Sequence, residues 1–138
     1  MPHLNPYVTF NGNCREAMNF YRDCFGGELN LQTVEGSPAE AHCAPEIKHH
    51  ILHASLTAGN IVIMGTDLCR GKYTASESIA LCCNCGSAEE ITGLFEKLSA
   101  GGQIIEPLKP QFWGALYGEL TDRFGVRWML NGEPAKEN

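Results

Sequence analysis

The chain has 138 residues, 43% of them hydrophobic, and a formal net charge of −6 at pH 7. That length fits one globular domain, and the acidic balance argues against nucleic-acid binding, which needs clustered Lys and Arg. No apolar run approaches the length of a membrane span, and Met1–Asn5 lacks the basic and apolar regions of a signal peptide. We therefore expect a cytoplasmic protein that binds neither nucleic acid nor membrane.

The two halves of the chain repeat one plan, a strand, a capped amphipathic helix and three further strands, at an offset of about 74 residues. Each predicted helix begins at a capping residue with a glutamate three positions later and ends at a glycine pair. These residues are Asn13, Glu16 and Gly26-Gly27 in the first half, and Ser87, Glu90 and Gly101-Gly102 in the second. The repeat predicts an α+β fold, a single domain over 1–138 built from two βαβββ modules at about 1–70 and 75–132.

In the first module, a short strand at Tyr7–Phe10 precedes the helix, and a second strand runs from Glu28 to Val34. The helix carries an apolar stripe at helical spacing, which is typical of a face that packs on the core. Its members are Ala17, Phe20, Tyr21, Cys24 and Phe25. The segment Gly36–Glu46 contains two prolines and several small residues, which predicts a loop. This loop is either a lid over a pocket or an ordinary surface loop.

A β-hairpin follows, with Gly59-Asn60 as its two-residue turn. One side of the hairpin is aliphatic and is expected to lie under the helix: Leu52, Ala54, Leu56, Ile61 and Ile63. The other side is mixed and suits a pocket wall: His53, Ser55, Thr57, Val62, Met64 and Thr66. The turn places Ser55 near Met64 and His53 near Thr66.

The second module repeats these elements. A strand is predicted in which Ser78, Ala80, Cys82 and Asn84 alternate with Ile79, Leu81 and Cys83. The helix stripe consists of Ile91, Leu94, Phe95 and Leu98. Ile104-Ile105 begins another strand, and Leu116–Leu120 and Val126–Leu130 form a last hairpin around an Asp-Arg-Phe-Gly turn, with Trp128 in the core.

The seven cysteines are odd in number, and three of them, Cys82, Cys83 and Cys85, crowd one predicted strand. No second cysteine pair follows at the spacing of a zinc knuckle. Reduced, mainly structural thiols are therefore expected, rather than a disulfide framework.

Several segments resemble the vicinal oxygen chelate superfamily, which includes glyoxalase I, extradiol dioxygenases and the bleomycin- and fosfomycin-resistance proteins. The resemblance is closest to the PhnB-like, or demethylubiquinone methyltransferase-like, branch and covers nearly the whole chain. The segments that carry it are Asn11–Ala17 with Phe20-Tyr21, His53-Ala54, Phe112-Trp113-Gly114 and, most strongly, Tyr117–Trp128. No glycine-rich turn for a dinucleotide-like cofactor is present, so the methyltransferase name does not predict one.

The resemblance implies a glyoxalase-like fold, in which two βαβββ modules form curved mixed sheets around a cup, and a homodimer. In metal-dependent members, His and Glu ligands project into the cup from the first and last strands of the modules. The corresponding positions here hold Pro6, Met64, Ser78 and Met129, none of which suits a hard divalent metal. We therefore expect neither a metal nor another cofactor.

His53 is the leading candidate residue because histidine can act as a general base or bind an anion near neutral pH. The competing interpretation is a structural histidine bonded to a neighbouring strand. Further candidates for ligand contacts are Ser55, Met64, Ser78, Trp113, Tyr117 and Glu119. The aromatic residues among them equally suit core or dimer packing, and the direction of Glu119 depends on the length of the last turn.

Two functions remain open. The first is metal-independent binding of an unidentified small molecule in the cup, as in bleomycin-resistance proteins. The alternative is a lyase or isomerase with His53 as general base, with or without metal assistance. The unsuitable metal-ligand set favours binding.

Overall fold

The computed structural model describes residues 2–68, 73–112 and 114–132. The chain divides into two compact units, Met1–Thr74 and Ala75–Asn138. The first contains β1 (Tyr7–Thr9), α1 (Cys14–Phe25), β2 (Glu28–Thr33), β3 (Ile51–Ala58) and β4 (Ile61–Thr66). The second contains β5 (Ala80–Cys85), α2 (Ala88–Ser99), β6 (Gln103–Pro110), β7 (Leu116–Thr121) and β8 (Arg127–Gly132). Both predicted βαβββ modules are confirmed.

Each module has its own four-stranded mixed sheet with the same topology. The strand order is β1-β4-β3-β2 in the first module and β5-β8-β7-β6 in the second. The first strand of each module pairs in parallel with the last, and the other pairs are antiparallel. The internal repeat therefore extends from the order of the elements to the pairing of the strands.

The first hairpin has the predicted register. Ala58 pairs with Ile61 across the turn, and Ser55 pairs with Met64. Gly59 takes a φ of +59°, a backbone conformation that glycine adopts without steric penalty. Because side chains alternate along a strand, this register fixes which residues share a face.

The two helices begin differently, and one of the predicted capping boxes is wrong. Ser87 accepts a hydrogen bond from the Glu90 amide, and the Glu90 carboxylate accepts one from the amide of Gly86. The Asn13 side chain makes no capping bond. Instead Asp67, just after β4, accepts from the Cys14 amide at 2.9 Å. A carboxylate from a distant segment thus replaces the local cap.

The core of each module lies between its helix and its sheet. The predicted stripe of α2 is buried in full, at Ile91, Leu94, Phe95 and Leu98. The predicted stripe of α1 is only partly correct, since its buried residues are Cys14, Ala17, Met18 and Tyr21, whereas Phe20, Cys24 and Phe25 are half-buried. The first turn of the helix lies close to β4, where Gly65 leaves room for the Cys14 sulfur.

The predicted loop of the first module contains two short 3-10 helices, Pro38–His42 and Pro45–Ile47. Across the ranges that the structure describes, no helix combines the length and apolar character required to traverse a lipid bilayer.

Candidate functional site

The first sheet presents two chemically different faces. Ala54 and Leu56 of β3 are buried and lie on the side that α1 covers. The opposite side, here called the first polar face, carries Tyr7, Asn30, Gln32, His53, Ser55 and Met64. Tyr7, Met64, Ser55 and Asn30 follow one another across the four strands in register. The predicted division of the hairpin into an aliphatic and a mixed side is therefore present.

His53 is held by a neighbour that lies far away in the sequence. The Tyr7 hydroxyl and His53 Nδ1 are 3.2 Å apart, and the two rings lie 5.7 Å apart at an interplanar angle of 36°. The direction of this hydrogen bond depends on the imidazole tautomer. Because Nδ1 is engaged, Nε2 is the atom that His53 presents for a further interaction. Tyr7 is half exposed, so solvent molecules reach the pair.

The second sheet is organised in the same way. Leu120, Trp128 and Leu130 are buried on the side of α2. The opposite side, the second polar face, carries Cys82, Tyr117, Glu119, Arg127 and Met129. Met129 occupies the centre of this face, paired with Cys82 on one side and Glu119 on the other. Met64 holds the equivalent position in the first sheet, between Tyr7 and Ser55.

Charged groups on the second polar face hold one another in place. An Arg127 guanidinium nitrogen lies 3.7 Å from a Glu119 carboxylate oxygen, and its other terminal nitrogen donates to the Glu77 carbonyl at 2.7 Å. Burial, together with the nearby Glu119 carboxylate, raises the pKa of Tyr117. Tyr117 therefore stays protonated at neutral pH. This face therefore carries a carboxylate, a guanidinium and a phenol.

The positions at which the resemblance implies metal ligands do not fit a hard divalent cation. Tyr7, and not Pro6, is the β1 residue that pairs with Met64, and Cys82 is the β5 residue that pairs with Met129. Thioethers and a thiol are soft donors, whereas such a cation requires carboxylate or imidazole. Within residues 2–68, 73–112 and 114–132, no three His, Cys, Asp or Glu side chains are placed to share an ion.

One of the candidate residues from the sequence, Ser78, is not placed as expected. The predicted alternation holds from Ala80, where β5 begins, but not at Ser78. Ser78 lies in the preceding bend, exposed, with its hydroxyl 2.9 Å from the Ser76 hydroxyl. The strand starts late because its pairing with β8 begins at Ala80. Trp113 lies outside the described residues, and its neighbour Phe112 is 98% exposed.

Sequence reasoning missed Tyr7 and Arg127 as members of these faces, and it did not single out Cys82, although the alternation placed Cys82 on the side of Ser78. Their direction follows from the parallel pairing of β1 with β4 and of β5 with β8, which joins segments about 50 residues apart. Alternation of side chains along a strand could have identified these residues. However, β1 has only three residues, which is too short for the pattern to show which side chains face the helix.

Three comparisons place the chain among known proteins. A family model described as 3-demethylubiquinone-9 3-methyltransferase matches residues 2–131. The protein YjdN of Escherichia coli is 32% identical over 138 residues, which cover 93% of each chain.

Solved structures have the same fold. Protein PA1353 of Pseudomonas aeruginosa has a TM-score of 0.87 and 37% identity, covering 97% of this chain and 99% of its own. A glyoxalase/bleomycin resistance protein/dioxygenase family enzyme of Burkholderia phytofirmans has a TM-score of 0.59 and 17% identity. The match covers 91% of this chain and 95% of the Burkholderia chain. The second likeness concerns the fold alone.

Proposed function

Because the chain belongs to the 3-demethylubiquinone-9 3-methyltransferase family, within the glyoxalase and bleomycin-resistance superfamily, we propose that it binds a small molecule without a metal. The observation that carries the proposal is the Tyr7–His53 pair on the first polar face, in which Tyr7 contacts the His53 imidazole and is also the strand partner of Met64. Binding sites for small molecules combine apolar surface with a few directed polar groups in this way.

The chemistry of this pair favours a ligand with a carbonyl or anionic oxygen. His53 donates a proton from Nε2 when Nδ1 accepts from Tyr7, and it donates from both nitrogens when it is protonated. Met64 and Tyr7 supply polarisable and aromatic surface for the carbon skeleton of the ligand. The same arrangement does not provide the oxygen-rich donor set that a metal-bridged substrate requires.

The methionine methyl groups provide a direct test of binding. Met64 and Met129 lie on the two polar faces, whereas Met18 is 0% exposed in the core of the first module. In protein labelled with [13C-methyl]methionine, we expect at least one of pyruvate, benzoate and dihydroxyacetone to shift the Met64 or Met129 resonance saturably and to leave Met18 unmoved. Absence of any saturable shift, or equal shifts at Met18, would contradict the proposal.

Replacing His53 with Ala is expected to weaken binding of the active probe by about 1–3 kcal/mol, the effect of losing a hydrogen bond to a charged or buried group. The melting temperature should change little, because a half-buried polar side chain contributes little to packing. His42→Ala, on the exposed side of a 3-10 helix, is the matched control. A lower melting temperature with unchanged affinity would instead identify a structural histidine.

A second function is favoured by the same hydrogen bond. Tyr7 fixes the imidazole ring, as is required of a general base in a lyase or isomerase. Dihydroxyacetone incubated in D2O would then exchange its α-protons faster with the wild-type protein than with His53→Ala, as followed by 1H NMR. Equal exchange rates would leave binding as the function.

We also expect the protein to be isolated without a stoichiometric divalent metal. The soft donors Met64 and Met129 and the absence of a three-residue donor cluster among the described side chains support this expectation. Elemental analysis of untagged protein is the measurement. Near-stoichiometric zinc, nickel or manganese would overturn the expectation if it is also found in the Cys82→Ser variant. That variant excludes metal bound by the exposed Cys82 thiol.

We further propose a homodimer. β1 stands at the edge of its sheet, and β6 at the edge of the other sheet carries Ile104 and Ile105 at 50% and 44% exposure. Exposed edges and apolar side chains are usually covered by another chain. Light scattering at micromolar concentration should give twice the 15.1 kDa chain mass, and a monomer would contradict the proposal.

A further inference from the structure

Cys83 and Cys85 form a close pair of thiols that the proposed binding function does not use. Both lie on the same side of β5, facing α2 and away from the second polar face, because side chains two positions apart on a strand point the same way. Both are free thiols. Cys85 is 7% exposed and Cys83 is half-buried on a strand at the edge of its sheet, so the pair is reached from the Cys83 end.

We propose that Cys83 and Cys85 together bind monosubstituted trivalent arsenicals. Soft, thiophilic elements prefer sulfur ligands, and two cysteines two positions apart on one face of a strand offer both sulfurs to one bridging atom. A direct disulfide is less suitable. Residues two positions apart on a strand have Cα atoms about 6.6 Å apart, at the upper end of the range that an unstrained disulfide allows.

The condensation is balanced without an oxidant or a base. An arsenoxide, R–As=O, reacts with two thiols to give R–As(S–Cys)2 and water. Two S–As bonds form, the arsenic–oxygen bond is broken, and the oxygen leaves with both thiol protons. Arsenic remains trivalent, and neither sulfur is oxidised.

The protonation of the pair separates this ligand class from divalent metals. Burial raises the pKa of Cys85 to about 12 and also raises that of Cys83. A metal ion binds thiolates and must release both protons, which is unfavourable for such thiols at neutral pH. Arsenoxide condensation releases no net proton, so the raised pKa values do not oppose it.

Phenylarsine oxide is the probe. The reduced protein is incubated with one equivalent in excess glutathione, a monothiol that competes for arsenic held by a single cysteine, and is then examined by intact-mass spectrometry. We expect one adduct that survives glutathione and is removed by 2,3-dimercaptopropanol. Absence of a glutathione-resistant adduct would overturn the proposal.

The variants identify the pair. Cys83→Ser should lose the resistant adduct, whereas Cys82→Ser, its neighbour on the opposite face of β5, should retain it. Circular dichroism establishes that both variants are folded, and Cys83→Ala serves in place of Cys83→Ser if the latter is not. A folded Cys83 variant that keeps the adduct, or a Cys82→Ser protein that loses it, would show that another pair of the seven cysteines binds the arsenical.

Discussion

Replacing Asp122 with Ala is expected to lower the free energy of unfolding by about 3–5 kcal/mol, because several hydrogen bonds to one charged group are lost together. Asp122 is 3% exposed in the turn between β7 and β8. Its Oδ1 accepts from the amides of Phe124 and Val126, and its Oδ2 accepts from Trp128 Nε1 at 2.9 Å. Removal of the carboxylate leaves three donors unsatisfied, one of them in the core. Urea denaturation followed by circular dichroism measures the change.

Two variants serve as controls for this prediction. Asp23→Ala, on the exposed side of α1, should change the stability by less than about 0.5 kcal/mol, as surface substitutions do. In a Trp128→Phe background the Asp122→Ala effect should be smaller, since the indole donor is already absent. An equal effect in both backgrounds would mean that the Asp122–Trp128 hydrogen bond contributes nothing.

Replacing Asp67 with Ala is expected to lower the free energy of unfolding by about 2–4 kcal/mol. Asp67 is 9% exposed, and its two oxygens accept from the amide of Cys14 at 2.9 Å and the amide of Ile51 at 2.8 Å. It therefore joins the end of β4 to the beginning of α1 and to the beginning of β3. Thermal and urea denaturation are the measurements.

Asn13→Ala is the informative comparison for Asp67. If Asn13 capped α1 by itself, its replacement would be expected to destabilise the protein by about 1 kcal/mol. Because its side chain makes no capping bond, we expect a much smaller change. A larger effect of Asn13→Ala than of Asp67→Ala would reverse our assignment of the cap.

The sequence predicted correctly those features of the fold that depend on interactions between residues close together in the chain. The turn at Gly59-Asn60, the Ser87 cap and the buried stripe of α2 each depend on residues close together in the chain, and each is confirmed. The Asn13 cap is wrong because Asp67, 54 positions later, supplies the acceptor for the Cys14 amide. A helix-capping motif spans only a few residues, so the motif around Asn13 could not reveal the contribution of Asp67.

The same distinction applies to the candidate site, where residues joined by a short turn were predictable and residues far apart in the sequence were not. Alternation along β3 placed His53 and Ser55 on one face, and the hairpin register brought Met64 beside Ser55. Tyr7 could not be assigned in this way because its position depends on a parallel pairing with no connecting turn. The functional roles of these residues, including Tyr117 and Glu119, remain predictions.

The position of Tyr7 also links recognition to folding. Tyr7 reaches His53 only while β1 is docked beside β4, and β1 has just three residues with which to hold that position. A ligand that contacts both side chains would bind only the docked form, and it would stabilise that form in proportion to the logarithm of its concentration. The N-terminal strand would then act as a reporter of occupancy, and ligand would slow hydrogen exchange at the Met64 amide, which donates to the carbonyl of Pro6.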